Sequence, residues 1–296
     1  PAGRGRRNPN FAEISNYQTD ADSRYHGLVI GLNQRFKNGL QLQISYTYSK
    51  LLDNSSALYA PESSGAGSRT SGDPDDLRPD WGLSSQHVGQ NFVSNSTYVL
   101  PFAANAGGWK EQVAGGWQVN SIITLSAGVP RNVQLSFDRA RTLGNGFTPR
   151  PDLVAGASTN PIKGTSAGCP GLTGSDRSLK LGTPDLYMDP CVFALQDAGF
   201  LGNLGRNTVI GPGLVSVDLG LTKNFKLPWE GTNLQFRSEL FNIINRANFG
   251  APLSNVFSNA TIAPGNTRPN VRSDFGLIRD TRTTNRQIQM ALKLTF

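Results

Sequence analysis

The sequence predicts an all-β fold: an antiparallel transmembrane β-barrel wall of about eight strands, with short turns at one end and long loops at the other. Three observations predict it. Apolar and polar residues alternate strictly in several stretches of the chain; short and long connections between those stretches also alternate; and no apolar run reaches the ~18–20 residues of a spanning helix. The composition agrees. Of 296 residues only 37% are apolar and 17% charged, with 33 Gly and 18 Pro, the profile of strands joined by long polar loops.

The elements follow in order. "NPNFAEISNY" reads as a poor first strand. In "RYHGLVIGLNQRF", Leu28, Ile30, Leu32 and Phe36 alternate with Val29, Gly31, Asn33 and Arg35. "KNG" is turn chemistry, so the next stretch, "GLQLQISYTYSK", closes a hairpin. There Leu40, Leu42, Ile44, Tyr46 and Tyr48 share one face, and Gln41, Gln43, Ser45, Thr47 and Ser49 the other. "QNFVSNSTYVLPF" is a weaker strand, and "GWQVNSIITLSAG" sets Trp117, Val119, Ile123 and Leu125 against Gln118, Asn120, Thr124 and Ser126. "SVDLGLTKNFKLP" and "TNLQFRSELFN" form the next pair. The final "RQIQMALKLTF" puts Ile288, Met290, Leu292, Leu294 and Phe296 on one face.

The connections after Phe36, Phe102 and Leu227 are short; those over 53–84, 129–213 and 246–284 are long and polar. Loops that long argue against an ordinary compact domain, but they match tight periplasmic turns and long extracellular loops. The apolar faces then meet lipid. Tyr46, Tyr48, Tyr98, Phe102, Trp117, Phe225 and Trp229 sit near strand ends, where aromatic girdles belong. Arg35, Asp218, Lys226, Arg237, Glu239 and Lys293 become candidates for the lumen. A soluble sandwich also alternates; the loop asymmetry favours the barrel.

The net charge of +7 comes from scattered Arg and Lys residues, with no basic helix and no recognised nucleic-acid motif, which argues against a nucleic-acid partner. Asp73, Asp75, Asp76 and Asp80 could offer oxygen ligands to Ca²⁺, but their spacing is not that of an EF-hand, and solvated acidic loops are common. His26 and His87 are the only histidines and form no zinc pair, so no metal is expected. His87 near Ser84, Ser85 and Asp80 is the one cluster resembling a nucleophile and base, too weak to predict an enzyme. The glycine-rich "GAGSRTSGD" and "GNLGRNTVIGPG" lack a P-loop lysine, and no cofactor is expected. Cys169 and Cys191, the only cysteines, read as a disulfide closing an external loop if the compartment is oxidising, and otherwise as two free thiols.

"SRYHGLVIGLNQRFKNGLQLQISYTYSKLLDNSS", "GNLGRNTVIGPGLVSVDLGLTKNFKLP", "LQFRSELFNIINRANFGAP" and "FGLIRDTRTTNRQIQMALKLTF" resemble the C-terminal barrel of TonB-dependent receptors of the Oar-like, carboxypeptidase-regulatory-like type. The resemblance spans nearly all of the chain. It implies a Gram-negative outer membrane, uptake of a nutrient energised by TonB, and a plug domain with its TonB box in an N-terminal part that this chain does not carry. Such barrels have about 22 strands, so the whole of 1–296 would be a C-terminal part of the wall. The final strand, Ile288, Met290, Leu292, Leu294 and Phe296, would also be the signal read by the barrel-assembly machinery. One departure stands out: "SGDPDDLRPDWGLSSQH" keeps the family's acidic loop and His87 but lacks the arginines that usually follow. The competing reading is an autonomous eight-stranded barrel acting as a binding or adhesion module; the third, a soluble carbohydrate-binding sandwich, would purify without detergent.

Overall fold

The computed structural model describes residues 19–56, 73, 76–103, 106–141, 149–172, 179–229 and 231–296, Lys226 by its backbone alone. The first strand expected at 8–17 lies outside the described residues. In chain order the strands are β1 (Ser23–Arg35), β2 (Leu40–Asp53), β3 (Gly82–Leu83), β4 (Gln90–Val99), β5 (Trp117–Ser126), β6 (Pro130–Arg131), β7 (Asp152–Leu153), β8 (Phe193–Ala194), β9 (Val209–Ile210), β10 (Leu214–Lys226), β11 (Asn233–Phe241) and β12 (Gln287–Thr295). The seven long ones form an antiparallel meander, β1-β2-β4-β5-β10-β11-β12, and β3 extends it beside the end of β2. Two small pairs, β6 with β9 and β7 with β8, stand apart from the wall. No helix is long and apolar enough to cross a membrane among the described residues.

Period-two sequence and antiparallel register together make two continuous faces. On one, Ile30 faces Tyr46, Tyr46 faces Phe92, Phe92 faces Leu125, and Leu125 faces Val215. Further along, Leu219 faces Leu240 and Leu240 faces Ile288. Serines interrupt this apolar face, but Ser96 and Ser121 lie opposite each other with their hydroxyls 2.8 Å apart, each satisfying the other. The opposite face carries most of the glutamines, asparagines, threonines and charges, while Lys223 stands on the apolar one. Among the described residues β1 pairs only with β2 and β12 only with β11, so the sheet is open.

The turns after β1, β4 and β10 lie at one end and the long connections at the other, as the sequence predicts. The turn after β4 holds something the periodicity did not announce: α1 (Gly108–Ala114). Seven residues are too few to show a helical period. The propensities of Lys110, Glu111, Gln112 and Ala114 suffice, with the Glu111 carboxylate accepting the Gly107 N–H at 3.2 Å.

The hydrophobic core is not on the wall. It lies in the two longest loops, 127–213 and 242–286, which fold together into a cap at the long-loop end of the wall. Val133, Leu186, Met188, Phe193, Val209, Val256, Phe257 and Phe275 are fully buried there, and Phe193 meets Phe275 edge to face with ring centroids 6.1 Å apart. Fully burying each such side chain is worth roughly 1.5–3 kcal/mol. The two loops are joined through the backbone: Gln134 N–H donates to the Ser254 carbonyl and Val256 N–H to the Gln134 carbonyl, both at 3.0 Å. The cap therefore has a fixed shape, where the sequence suggested only long polar loops.

Candidate functional site

The wall places Arg35, Asp218, Arg237, Glu239 and Lys293 on its polar face, and gives Lys226 a register position on the same strand as Asp218. The register runs Arg35–Gln41–Thr97–Asn120–Gly220–Glu239–Gln289 across seven strands. Arg237 sits opposite Thr222 and Lys293 opposite Gln235, on the same side, and the backbone of Lys226 pairs with that of Asn233. Hydrogen bonds lace this surface: Thr97 Oγ1 to Asn120 Oδ1 at 3.0 Å, Gln118 Nε2 to the same oxygen at 2.9 Å, and Arg237 to Glu239 at 2.6 Å. Asp218, at the cap end of the face, is already engaged. Its Oδ1 accepts the Asn242 N–H at 2.7 Å and the Ser216 hydroxyl at 3.3 Å, so it anchors the chain as it leaves β11.

That exit is "FNIINRANFG", and its asparagines explain its shape. Asn242 and Asn245 hold φ of 47° and 50°, left-handed conformations that Asn tolerates better than most residues. The Asn242 side chain accepts from Arg246 N–H and donates to the Arg246 and Thr284 carbonyls, closing the base of the loop. Asn248, 1% exposed, imitates a strand residue. Its Oδ1 accepts the Val215 N–H and its Nδ2 donates to the Val215 carbonyl, both at 2.9 Å, where β11 has already ended. Asn248→Ala strands both backbone groups, and an expected loss of about 1–3 kcal/mol follows. Urea titration would read it, and a midpoint equal to wild type would show that water replaces the amide at no cost.

A buried arginine network ties the cap to the wall. Arg206 Nε donates to the Asp80 carbonyl at 2.7 Å, Nη1 to Ser56 Oγ at 2.8 Å, and Nη2 to both the carboxylate and the carbonyl of Asp53. Arg150 holds the Asp80 carboxylate at 2.8 Å and the Pro79 carbonyl at 3.1 Å. Asn207, at φ 54°, donates to the Leu83 carbonyl. Gly82 must be glycine, because a Cβ there would stand 2.7 Å from the Arg206 carbonyl. The acidic loop thus finds its arginines in the loop 127–213, far along the chain, rather than at the strand start beside it.

The other candidates are placed as follows. Asp76 holds Arg78 through two bonds of 2.8 Å, which pull its carboxyl down to about 2. Asp80 is committed to Arg150, Asp75 lies outside the described residues, and Asp73 borders a cleft of about 270 Å³ beside Arg150 and Asn203. Among the described residues no three carboxylate, histidine or cysteine groups cluster as metal ligands. His87 accepts the Leu51 N–H on Nδ1 at 3.2 Å; burial, reinforced by Lys50, pushes its pKa below the usual value, favouring the neutral acceptor form. Ser84 Oγ accepts from Gln86 N–H and Ser85 N–H donates to Ser56, so the structure draws these residues into loop closure.

Cys169 and Cys191 form a disulfide within the cap core, their Cα atoms 5.6 Å apart. Asp189 braces it, accepting the Ser166 hydroxyl at 2.8 Å and the Cys191 N–H at 3.0 Å, and Arg268 donates to the Cys191 carbonyl. At the open edge of the wall, Ile288, Met290, Leu292 and Leu294 of β12 lie opposite Leu240, Ser238, Phe236 and Leu234 on the apolar face, more than half exposed, and Phe296 is 97% exposed.

Comparison with known proteins places this architecture. No curated protein and no solved structure matches the chain. The family model described as "Outer membrane beta barrel domain" matches residues 2–289, nearly the whole chain, and the protein belongs to that family of the outer membrane.

Proposed function

We propose that the chain is wall and ligand-capturing extracellular cap of a TonB-dependent receptor of the Oar-like type, importing a nutrient across the outer membrane of a Gram-negative bacterium. One observation carries the reading. The wall is an open sheet whose polar face bears Gly31, Ser45, Thr97 and Gly220 among its charges, and β1 is exposed on both faces along all thirteen residues. An autonomous eight-stranded barrel must fill its own interior with side chains. A face that sets glycines, serines and threonines between its charges instead leaves room for a plug domain. In this reading Arg35, Lys226, Arg237, Glu239 and Lys293 face the lumen and meet plug or ligand, while further strands satisfy the two edges. The stripe ending in Phe296 serves as the signal for the barrel-assembly machinery. The chain's own residues bind, and the plug and TonB move the ligand.

An immunoblot of purified outer membranes with an antibody to residues 53–84 tests it. The expected band runs far above the 31.8 kDa of this chain, as a barrel of about 22 strands demands. A single band at the mass of the chain would sink the receptor reading and favour the autonomous binding module.

A further inference from the structure

We propose that α1 is an interfacial membrane anchor that beds Trp109 and Val113 in the headgroup layer of the periplasmic leaflet. The proposal rests on the family's place in the outer membrane and not on the receptor reading. Which side of the wall α1 occupies is settled by two contacts. The Trp117 indole N–H donates to the Val113 carbonyl at 3.0 Å, and Lys223 Nζ donates to the Gly115 carbonyl. Trp117 and Lys223 lie opposite each other, and Lys223 lies opposite Phe236, all on the apolar face that meets lipid. The last turn of α1 is therefore tied to the lipid side of the wall, at the short-turn end.

The helix is amphipathic in the required sense. In "GWKEQVA", Trp109 and Val113 are four residues apart and share a face, and Lys110, Glu111 and Gln112 fill the intervening positions. Trp109 is 71% and Val113 59% exposed; Phe102 and Trp229, in the turns at the same end, are 63% and 67% exposed. Apolar surface of this size in water would be costly, but here it stands at the turn end of the apolar face of the wall. Indole rings favour the layer where one edge is apolar and the other wet.

Lys223 completes the device. A lysine on a lipid-facing surface is expensive unless its charge is satisfied. This one is 3% exposed, with its ammonium 5.7 Å from the Trp117 ring centroid and 5.0 Å from that of Phe225. One of its N–H groups donates to the Gly115 carbonyl just past the C-terminus of α1, where positive charge is favoured. The cation fastens the helix to the wall.

The test is spin-label accessibility in the full-length protein reconstituted into phospholipid bilayers. The two native cysteines are bonded to each other, so a single introduced cysteine takes the nitroxide. Labels at Trp109→Cys and Val113→Cys are expected to show an oxygen-to-nickel collision ratio several-fold above labels at Lys110→Cys and Gln112→Cys, approaching that of Leu292→Cys on the lipid-facing strand. Equal ratios at all four helix positions would overturn the anchor. Labels at 109 and 113 shielded from both reagents would also overturn it, in favour of a protein partner. Should Trp109→Cys fail to assemble, Val113→Cys reads the same face alone.

Discussion

Arg206→Met is expected to be the most damaging single change in this protein, costing about 3–5 kcal/mol. Methionine keeps a flexible unbranched stem in place of the arginine methylenes; what goes is the guanidinium, with its charge and its donors. Arg206 is 3% exposed and Asp53 5%, and one fork of donors serves Asp53, Ser56 and the Asp80 carbonyl together. Its loss leaves the Asp53 carboxylate buried without its cation, a far larger penalty than a lost surface pair. Arg206→Lys should fail nearly as badly, since one ammonium cannot reach acceptors spread around a planar fork. Asp53→Asn in the methionine background should recover part of the loss by removing the uncompensated charge, so the two changes will be strongly non-additive. The measurement is a double-mutant cycle by urea unfolding of bilayer-inserted protein, with trypsin sensitivity of the cap as a second readout. A single mutant within 1 kcal/mol of wild type, or a double mutant no better than the single, would show that the cap is held by its apolar core alone.

The wall was legible in the sequence because its determinant is local. A strand in contact with lipid on one face must alternate, and "GLQLQISYTYSK" and "RQIQMALKLTF" do so within ten or so residues. The charges placed on the polar face by counting stand there in the register for the same reason. The cap was not legible, because nothing in it repeats. Val133, Leu186, Phe257 and Phe275 reach one core from positions with no common period, across stretches rich in Gly and Pro. The ion pairs are worse: Arg150 is 70 residues from Asp80, and Arg206 is 153 from Asp53. The acidic loop could be seen, and so could the lack of arginines beside it, yet nothing local said that they come from another loop. Asn248 shows the same limit at close range, since a side chain standing in for a backbone leaves no trace in hydropathy.

Breaking the disulfide tests whether cap and wall are separable. The chain-entropy account gives a cross-link over 22 residues about 3 kcal/mol, and Cys169 and Cys191 sit in a cap core to which, among the described residues, no wall strand contributes. Cys169→Ala with Cys191→Ala is therefore expected to loosen 149–213 while the meander of β1 to β12 keeps its pairing. Asp189 and Arg268 brace only the local turn, so they cannot restore the lost closure. The readouts are independent: protease cleavage within the cap should rise steeply, and heat-modifiable mobility, which reports the assembled wall, should persist. Dithiothreitol on the wild-type protein should reproduce the first change without the second. Loss of both together would mean that the cap core and the wall fold as one cooperative unit, with the arginine network as their coupling. Retention of both would mean that the apolar core of the cap holds the loop closed without its cross-link.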